Sequence, residues 1–466
     1  MYQDLADFSI KQLEKLGATY GEARLEDVKG SAYILKNGNV EISGFDKSIG
    51  LGIRFIVNNT LGFLAINDLN KNKILNLIKK SFNLTKNSSK IGQKIKLSEE
   101  KTVKADYKVR QKIKLDAVSP EEKIKFLLDL DKEINKKYFR YFSLNDGVTK
   151  KYYVNTEGTK IVSEIPSVGL YYFITVLMNN KSMQRYAPYG STGGWEFIKK
   201  WNLKQKLLDE IKALENVIKN GIKPPKGKID VVVGSEVTGI AAHESVGHPY
   251  EADRILGREA AQAGESFVHP NMINYQIGSD VVNLVDDPTL EGSNGFYLYD
   301  DEGVKARRKI LIKNGRINEF LHNRETAFEM GIKSNGASRA CEYNKEAIVR
   351  MSNTFVLPGN HKEEELFGGI KLGVYMKNFM EWNIDDKRFH QKYTGAEAYL
   401  IKNGKISKPV INPVLEITTP ALWKSIDAIS NKIEFTAGNC GKGEAMQSIP
   451  VWFGGPHMRL RGIYIR

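Results

Sequence analysis

Two histidines and a glutamate, at His243, Glu244 and His248, are the residue types from which hydrolytic metal sites are built. Peptide-bond hydrolysis by zinc needs a few protein ligands and a coordination position left open to water. It also needs a carboxylate near enough to take that water's proton. The hexapeptide His243-Glu244-Ser245-Val246-Gly247-His248 can supply two ligands and the base. The plain alternative for the same six residues is an ordinary helix end. The two imidazoles stand at i and i+5, about 140° apart around a regular helix, so they diverge unless the backbone is distorted. Gly247 makes the backbone permissive, and Pro249 removes an amide and crowds the preceding turn. A π-type bulge, or a helix that ends at His248, would let both rings reach one ion.

A third ligand must come from elsewhere. The chain has two cysteines, Cys341 and Cys440. Cys440 falls in Ala437-Gly438-Asn439-Cys440-Gly441-Lys442-Gly443, which reads as a glycine-rich loop where a thiolate can approach an ion, with Lys442 nearby to lower the thiol pKa. The alternative for Cys440 is a small buried residue. Cys341 has no comparable context and receives no role. Nothing marks the chain as secreted, so a disulfide between the two is not expected.

Further blocks accompany these residues in order. Gly239-Ile240-Ala241-Ala242 leads into the hexapeptide, and Pro249-Tyr250-Glu251-Ala252-Asp253 follows it. Next come Asp300-Asp301-Glu302-Gly303, Arg350-Met351-Ser352-Asn353-Thr354 and Glu397-Ala398-Tyr399-Leu400-Ile401. Asn439-Cys440-Gly441-Lys442-Gly443 and Ser448-Ile449-Pro450-Val451 close the series. Together they resemble the TldD/PmbA family of metalloproteases over most of the chain. The resemblance implies zinc (Zn) on His243, His248 and Cys440, with Glu244 as the catalytic carboxylate. It also implies unfolded or short peptide substrates, admitted to an enclosed site in a dimer. The second member would be another copy or a TldE/PmbA-like paralogue. Such paralogues typically lack the metal ligands, whereas all four positions are present here, so the chain resembles the catalytic TldD type. The alternative is a non-catalytic TldE/PmbA-like binding subunit. Pro249 is one departure, since family members need not carry proline at that position.

These residues need a scaffold, and 466 residues exceed what one hydrophobic core usually serves. The expected class is α/β (α+β) in two domains: residues 1–220 with mixed helix and strand, and residues 221–466, strand-rich and carrying the metal-binding helix. Leu5, Phe8, Leu13 and Leu16 mark a first helix that stops at Gly17. Asn37-Gly38 between apolar runs predicts a hairpin, as do Asn314-Gly315 and Asn403-Gly404. Ile74 to Phe82 reads as a second helix, and residues 85–106 as a polar connection. Ser119-Pro120-Glu121-Glu122 predicts a capped helix start, and strands follow over 139–178. Gly190-Ser191-Thr192-Gly193-Gly194 lacks a phosphate-loop ending and reads as a flexible loop. After a helix near 203–219, residues 221–227 form the linker. Ile229 to Val233 is then a strand, and the helix carrying His243 begins at about Ser235. Glu363 to Ile370 suggests a short helix.

The composition is that of a water-soluble globular chain, with 41% hydrophobic and 27% charged residues. No apolar run reaches the ~20 residues of a membrane span. Asp4 and Asp7 stand where a signal peptide wants base followed by an apolar core, so a cytoplasmic location is expected. The net charge of +14 is spread along the whole chain. No recognition motif accompanies it, and specific nucleic-acid binding is not expected.

Overall fold

The computed structural model describes residues 2–259 and 265–466. Helix α1 (Gln3–Leu16) buries Leu5, Ile10 and Leu13 and ends at Gly17, whose φ of 87° makes a left-handed cap. Strands β1 (Tyr20–Lys36) and β2 (Asn39–Val57) form a long hairpin. Its turn residues Asn37 and Gly38 both take positive φ, 49° and 83°, as a tight hairpin turn demands. Strand β3 (Thr60–Ile66) extends the sheet. Helix α2 (Lys71–Ser88) is capped by the Asn70 side chain and runs into the segment expected as a connection. That segment also contributes β4 (Lys104–Lys108), which pairs parallel to a distant strand, a non-local pairing that its polar sequence does not announce.

Helix α3 (Pro120–Asp131) has the expected capping box between Ser119 and Glu122. Strands β5 (Phe139–Asn155), β6 (Lys160–Met178) and β7 (Lys181–Thr192) complete a seven-stranded sheet in the order β3-β2-β1-β5-β6, with β4 and β7 both on β6. Gly190, Ser191 and Thr192 are therefore not a flexible loop: they are the buried end of β7, paired with Gly169, Val168 and Ser167. After α4 (Glu196–Lys200), helix α5 (Leu203–Asn220) lays Leu207, Ile211, Leu214 and Val217 on this sheet. Four apolar residues at helical spacing explain why it docks there.

The remaining residues are strand-rich, as the sequence predicts. Strand β8 (Gly227–Val233) turns at Gly234 directly into α6 (Ser235–Ala242). Next in order come β9 (Leu284–Asp286), β10 (Lys309–Lys313) and β11 (Arg316–Ile317). A small pair, β12 (Ser338–Arg339) and β13 (Ile348–Val349), precedes β14 (Asn353–Val356). Residues 363–366 form one 3-10 turn rather than an α-helix. Beyond it run β15 (Leu372–Met376), β16 (Phe379–Ile384), β17 (His390–Gly395), β18 (Ala398–Lys402) and β19 (Lys405–Pro409). The chain closes with β20 (Val414–Thr418), β21 (Ile426–Ile429), β22 (Glu434–Lys442), β23 (Gln447–Gly455) and β24 (Met458–Ile465). Hairpins β10–β11 and β18–β19 carry the two later Asn-Gly turns.

Two large sheets result. One orders as β11-β10-β9-β14-β23-β22, and the other as β16-β17-β20-β24-β8-β15-β18-β19 with β21 beside β24. Helix α6 lies on the first sheet against β14, β22 and β23. The approach is close because Gly239 meets Gly454, where a Cβ on Gly239 would stand 2.7 Å from the backbone nitrogen. Fully buried Val246, Leu311, Val349 and Leu460 belong to the core that grips this helix. No described helix is long and apolar enough to cross a membrane.

Candidate metal centre

The helix that carries the two histidines widens where they stand. Regular α-geometry ends at Ala242, a π-turn spans His243–Gly247, and a 3-10 turn follows at His248–Tyr250. The N–H of His248 donates to the carbonyl of His243, an i→i+5 bond. One extra residue in the turn brings position i+5 back over position i, and the ring centroids lie 4.9 Å apart. The π-bulge is thus the distortion realised. Gly247 serves it by size rather than by permissiveness, since its φ of −54° and ψ of −62° suit any residue. A Cβ there would stand 1.9 Å from the Sδ of Met351.

Cys440 lies in strand β22, not in a loop. It pairs with Ile449, and its side chain and that of Lys442 point inward while Asn439 and Gly441 face out. This is the period-two alternation of a strand. The Sγ of Cys440 is 3.3 Å from Nε2 of His248. Ligand atoms of His243, His248 and Cys440 all lie within 4.8 Å of one another, and all three residues are buried. Among the described residues this is the one grouping of metal-ligating side chains with such spacing. A tetrahedral zinc with bonds of about 2.0–2.3 Å separates its ligand atoms by about 3.5 Å, so the donors fit the ion.

Protonation favours the same reading. Burial holds both imidazoles below their ordinary value, which leaves them neutral at neutral pH. Burial pushes the Cys440 thiol up, but His248 and Arg350 outweigh it and bring the thiol down to about 7. Arg350 is anchored here because it donates to the Cys440 and Gln447 carbonyls. Lys442 has a different task from the one its sequence position suggests. Its ammonium pairs with Asp253 at 2.7 Å, Glu251 at 3.2 Å and Glu259 at 3.4 Å. Glu251 in turn takes Nδ1 of His248 at 3.0 Å and Nε of Arg254 at 3.0 Å. A carboxylate on the far nitrogen fixes the ring so that Nε2 faces the thiol. Nδ1 of His243 is buried and has no hydrogen-bond partner.

Glu244 is buried beside this cluster, and Oε2 accepts from Nη1 of Arg388 at 2.5 Å. Arg388 sits in the β16–β17 connection with φ at 64°, and its carbonyl accepts from the Thr419 hydroxyl. Nothing in the local sequence Asp385-Asp386-Lys387-Arg388 marks it for this position, and sequence reasoning missed it. His243, Glu244, His248, Arg388 and Cys440 all line a cavity of about 470 Å³, with Trp382, Tyr186 and Phe453 among its other walls. Burial and the nearby Glu244 push the Tyr393 phenol well up.

Other sequence blocks hold the scaffold together instead. Asp300 accepts from the backbone N–H groups of Glu302, Val304 and Ser338. Glu302 joins Arg54 at 2.6 Å and the N–H of Arg324 at 2.7 Å, tying the seven-stranded sheet to the later residues. Asp286 gathers the N–H and hydroxyl of Ser352. Cys341 is a free, half-buried thiol, held up by burial, and Cys440 is likewise free.

Comparison with known proteins agrees with this arrangement. Models of the PmbA/TldA metallopeptidase C-terminal domain, central domain and domain 1 match residues 226–466, 113–219 and 21–85. A metalloprotease of Methanocaldococcus jannaschii is 32% identical over 459 residues, spanning 97% of this chain and 98% of that one. A zinc metalloprotease TldD homolog of Saccharolobus solfataricus is 26% identical, spanning 98% of both chains. The solved structure of TldE from Thermococcus kodakarensis matches with a TM-score of 0.74 at 16% identity, over 100% of this chain and 99% of that one. At that identity the likeness is one of fold.

Proposed function

The chain belongs to the PmbA/TldD metallopeptidase family, and on that premise we propose that it is the zinc-bearing catalytic subunit type, hydrolysing peptide bonds in unfolded or short peptides. It is a metalloprotease. The observation that carries the finer reading is the buried cluster of His243, His248 and Cys440 with Glu244 against it. A closed structural site has no use for an adjacent free carboxylate, and a non-catalytic binding subunit has no use for the ligand set.

His243, His248 and Cys440 would hold the ion, and zinc is the metal in the name of the S. solfataricus relative. When bound, zinc supplies a Lewis acid for the scissile carbonyl and makes a water acidic, tempered by the charge of the thiolate ligand. Glu244 takes the proton of the attacking water and later delivers it to the leaving amine. Arg388 lines the same cavity and fixes Glu244 through its guanidinium. Glu251 keeps His248 in the required tautomer.

The test is Glu244→Gln, which keeps the volume but cannot act as a base. Retained zinc with turnover lower by roughly two to four orders of magnitude is expected, the scale of a general base. Full activity would remove Glu244 from the mechanism, and lost zinc would make it a ligand.

Two wider readings go with this one. The division into 1–220 and 221–466 is supported by family models that lie on either side of it. Limited proteolysis between 221 and 227 that released no stable fragment would count against it. A dimer, of two copies or with a TldE/PmbA-like paralogue, would cover the cavity mouth where Tyr186 and Trp382 are partly exposed. A cytoplasmic location is supported by two unpaired thiols, and fractionation that found the protein outside the cytoplasm would refute it.

A further inference from the structure

A second chamber, of about 360 Å³, adjoins the metal cavity. The two share Pro188, Glu236 and Thr436 as walls. Its lining holds six carboxylates, those of Asp209, Glu210, Glu236, Glu363, Glu397 and Glu434, against three cations. On a chain of net charge +14 this concentration of acid runs against the general composition.

The internal pairing leaves an excess. Arg185 bridges Glu210 at 2.9 Å and Glu236 at 2.7 Å, and Lys377 takes Glu397 at 3.0 Å. The third cation, Lys206, lies over the Tyr189 ring at 5.3 Å. Glu434 faces Lys432 at 3.0 Å, and Glu363 faces Nε2 of His457 at 3.4 Å. Burial keeps that imidazole below its ordinary value and so neutral. Burial, joined by the charges of Glu363, Glu397 and Glu434, drives the Tyr375 phenol far up.

Ser235 supplies a second, independent sign. It opens α6, lines this chamber, and is only 7% exposed. Its hydroxyl has no hydrogen-bond partner. A buried hydroxyl left unpaired is costly, and a ligand donor would satisfy it. The described residues offer no metal-like grouping in the chamber, so an organic cation is the occupant it fits.

We propose that this chamber is a subsite for a cationic group of the substrate peptide, a Lys or Arg side chain or a free α-ammonium. The proposal rests on the peptidase reading above and adds a preference for basic peptides. Glu434 and Thr436 precede Cys440 on β22 by six and four residues. At about 3.3 Å per strand residue this is roughly 13–20 Å, so the cation belongs roughly four to six residues from the scissile bond.

The experiment uses N-acetylated alanine-glycine decapeptides with a C-terminal fluorophore. Lys is walked through each position, with a norleucine twin at each, and a separate pair differs only in a free or acetylated N-terminus. Binding is read by anisotropy on zinc-loaded Glu244→Gln protein, and cleavage on the wild type. Lys should bind about tenfold more tightly than norleucine at one position, the scale of a charge-assisted contact. Tight binding of the free-terminus peptide instead identifies the α-ammonium as the source. The double variant Glu363→Gln/Glu434→Gln should bring the ratio near one. Both side chains are substantially exposed, at 39% and 57%, so the fold tolerates the change. Ratios within twofold at every position and terminus overturn the proposal, and so does a preference that the double variant leaves intact. Peptides cut without any cationic preference sink the subsite alone. Cation-dependent binding without cleavage sinks the peptidase reading and keeps the subsite.

Discussion

Lys442→Met separates two roles for the one lysine that flanks the metal-site cysteine. Its side chain has no solvent exposure, and its ammonium reaches Asp253, Glu251, Glu259 and the Val349 carbonyl, the last at 2.8 Å. Methionine keeps most of the stem's volume and suits the strand, so the change removes charge rather than packing. It would take the shared ammonium from three carboxylates with side-chain exposures of 0%, 14% and 2%, Glu251 keeping Arg254 and the neutral His248 ring. Removing one partner of a buried ion pair costs about 3–5 kcal/mol. For a folding unit of this size, each kcal/mol moves the midpoint by about 2–4 °C, so a fall of roughly 6–20 °C is expected. Zinc affinity should drop by about 10–100-fold, because Glu251 both orients His248 and depends on Lys442. Urea and thermal unfolding followed by circular dichroism, with zinc affinity by competition against a chelator, read both effects. Adding Asp253→Asn should recover part of the lost stability by removing one of the charges that the ammonium had faced. A single variant within about 0.5 kcal/mol of wild type, the range of neutral surface changes, would refute the staple. A raised Cys440 thiol pKa with stability unchanged would return Lys442 to the role its sequence position suggests.

Cys440→Ala should lower zinc content while Cys341→Ala leaves it intact; equal zinc in both variants, by elemental analysis, removes Cys440 from the ligand set. Gly247→Ala forces a Cβ to within 1.9 Å of the Met351 sulfur and should cost about 1–3 kcal/mol, partly restored by Met351→Ala. A variant as stable as wild type would show that the π-turn yields easily at this point. Light scattering across a concentration range should give the mass of a dimer, alone or with a TldE/PmbA-like paralogue, and a stable, active monomer would count against the enclosed site.

What the sequence determined by itself is what short-range chemistry dictates. Asn37-Gly38 turns a hairpin because its left-handed backbone suits those two residues, and Ser119 with Glu122 starts a helix because each side chain caps the other's backbone. His243, Glu244 and His248 were legible because their types and spacing are chemistry within six residues, and the need for a bulge or a helix end at His248 followed from helix geometry alone. Cys440 was reachable through its motif, but its setting was not. Glycines at 438, 441 and 443 read as a loop, whereas pairing with β23 makes the segment a strand. The same holds for Gly190 on β7 and for β4, whose partners lie far along the chain. Tertiary structure alone placed Arg388 against Glu244, 144 residues away, and Cys440 against His248, 192 residues away. It also turned Lys442 from the thiol towards three carboxylates and made Met351 the reason for Gly247. Backbone propensity acts over a few residues, but which buried charges and side chains face one another is fixed only when distant strands and the helix pack.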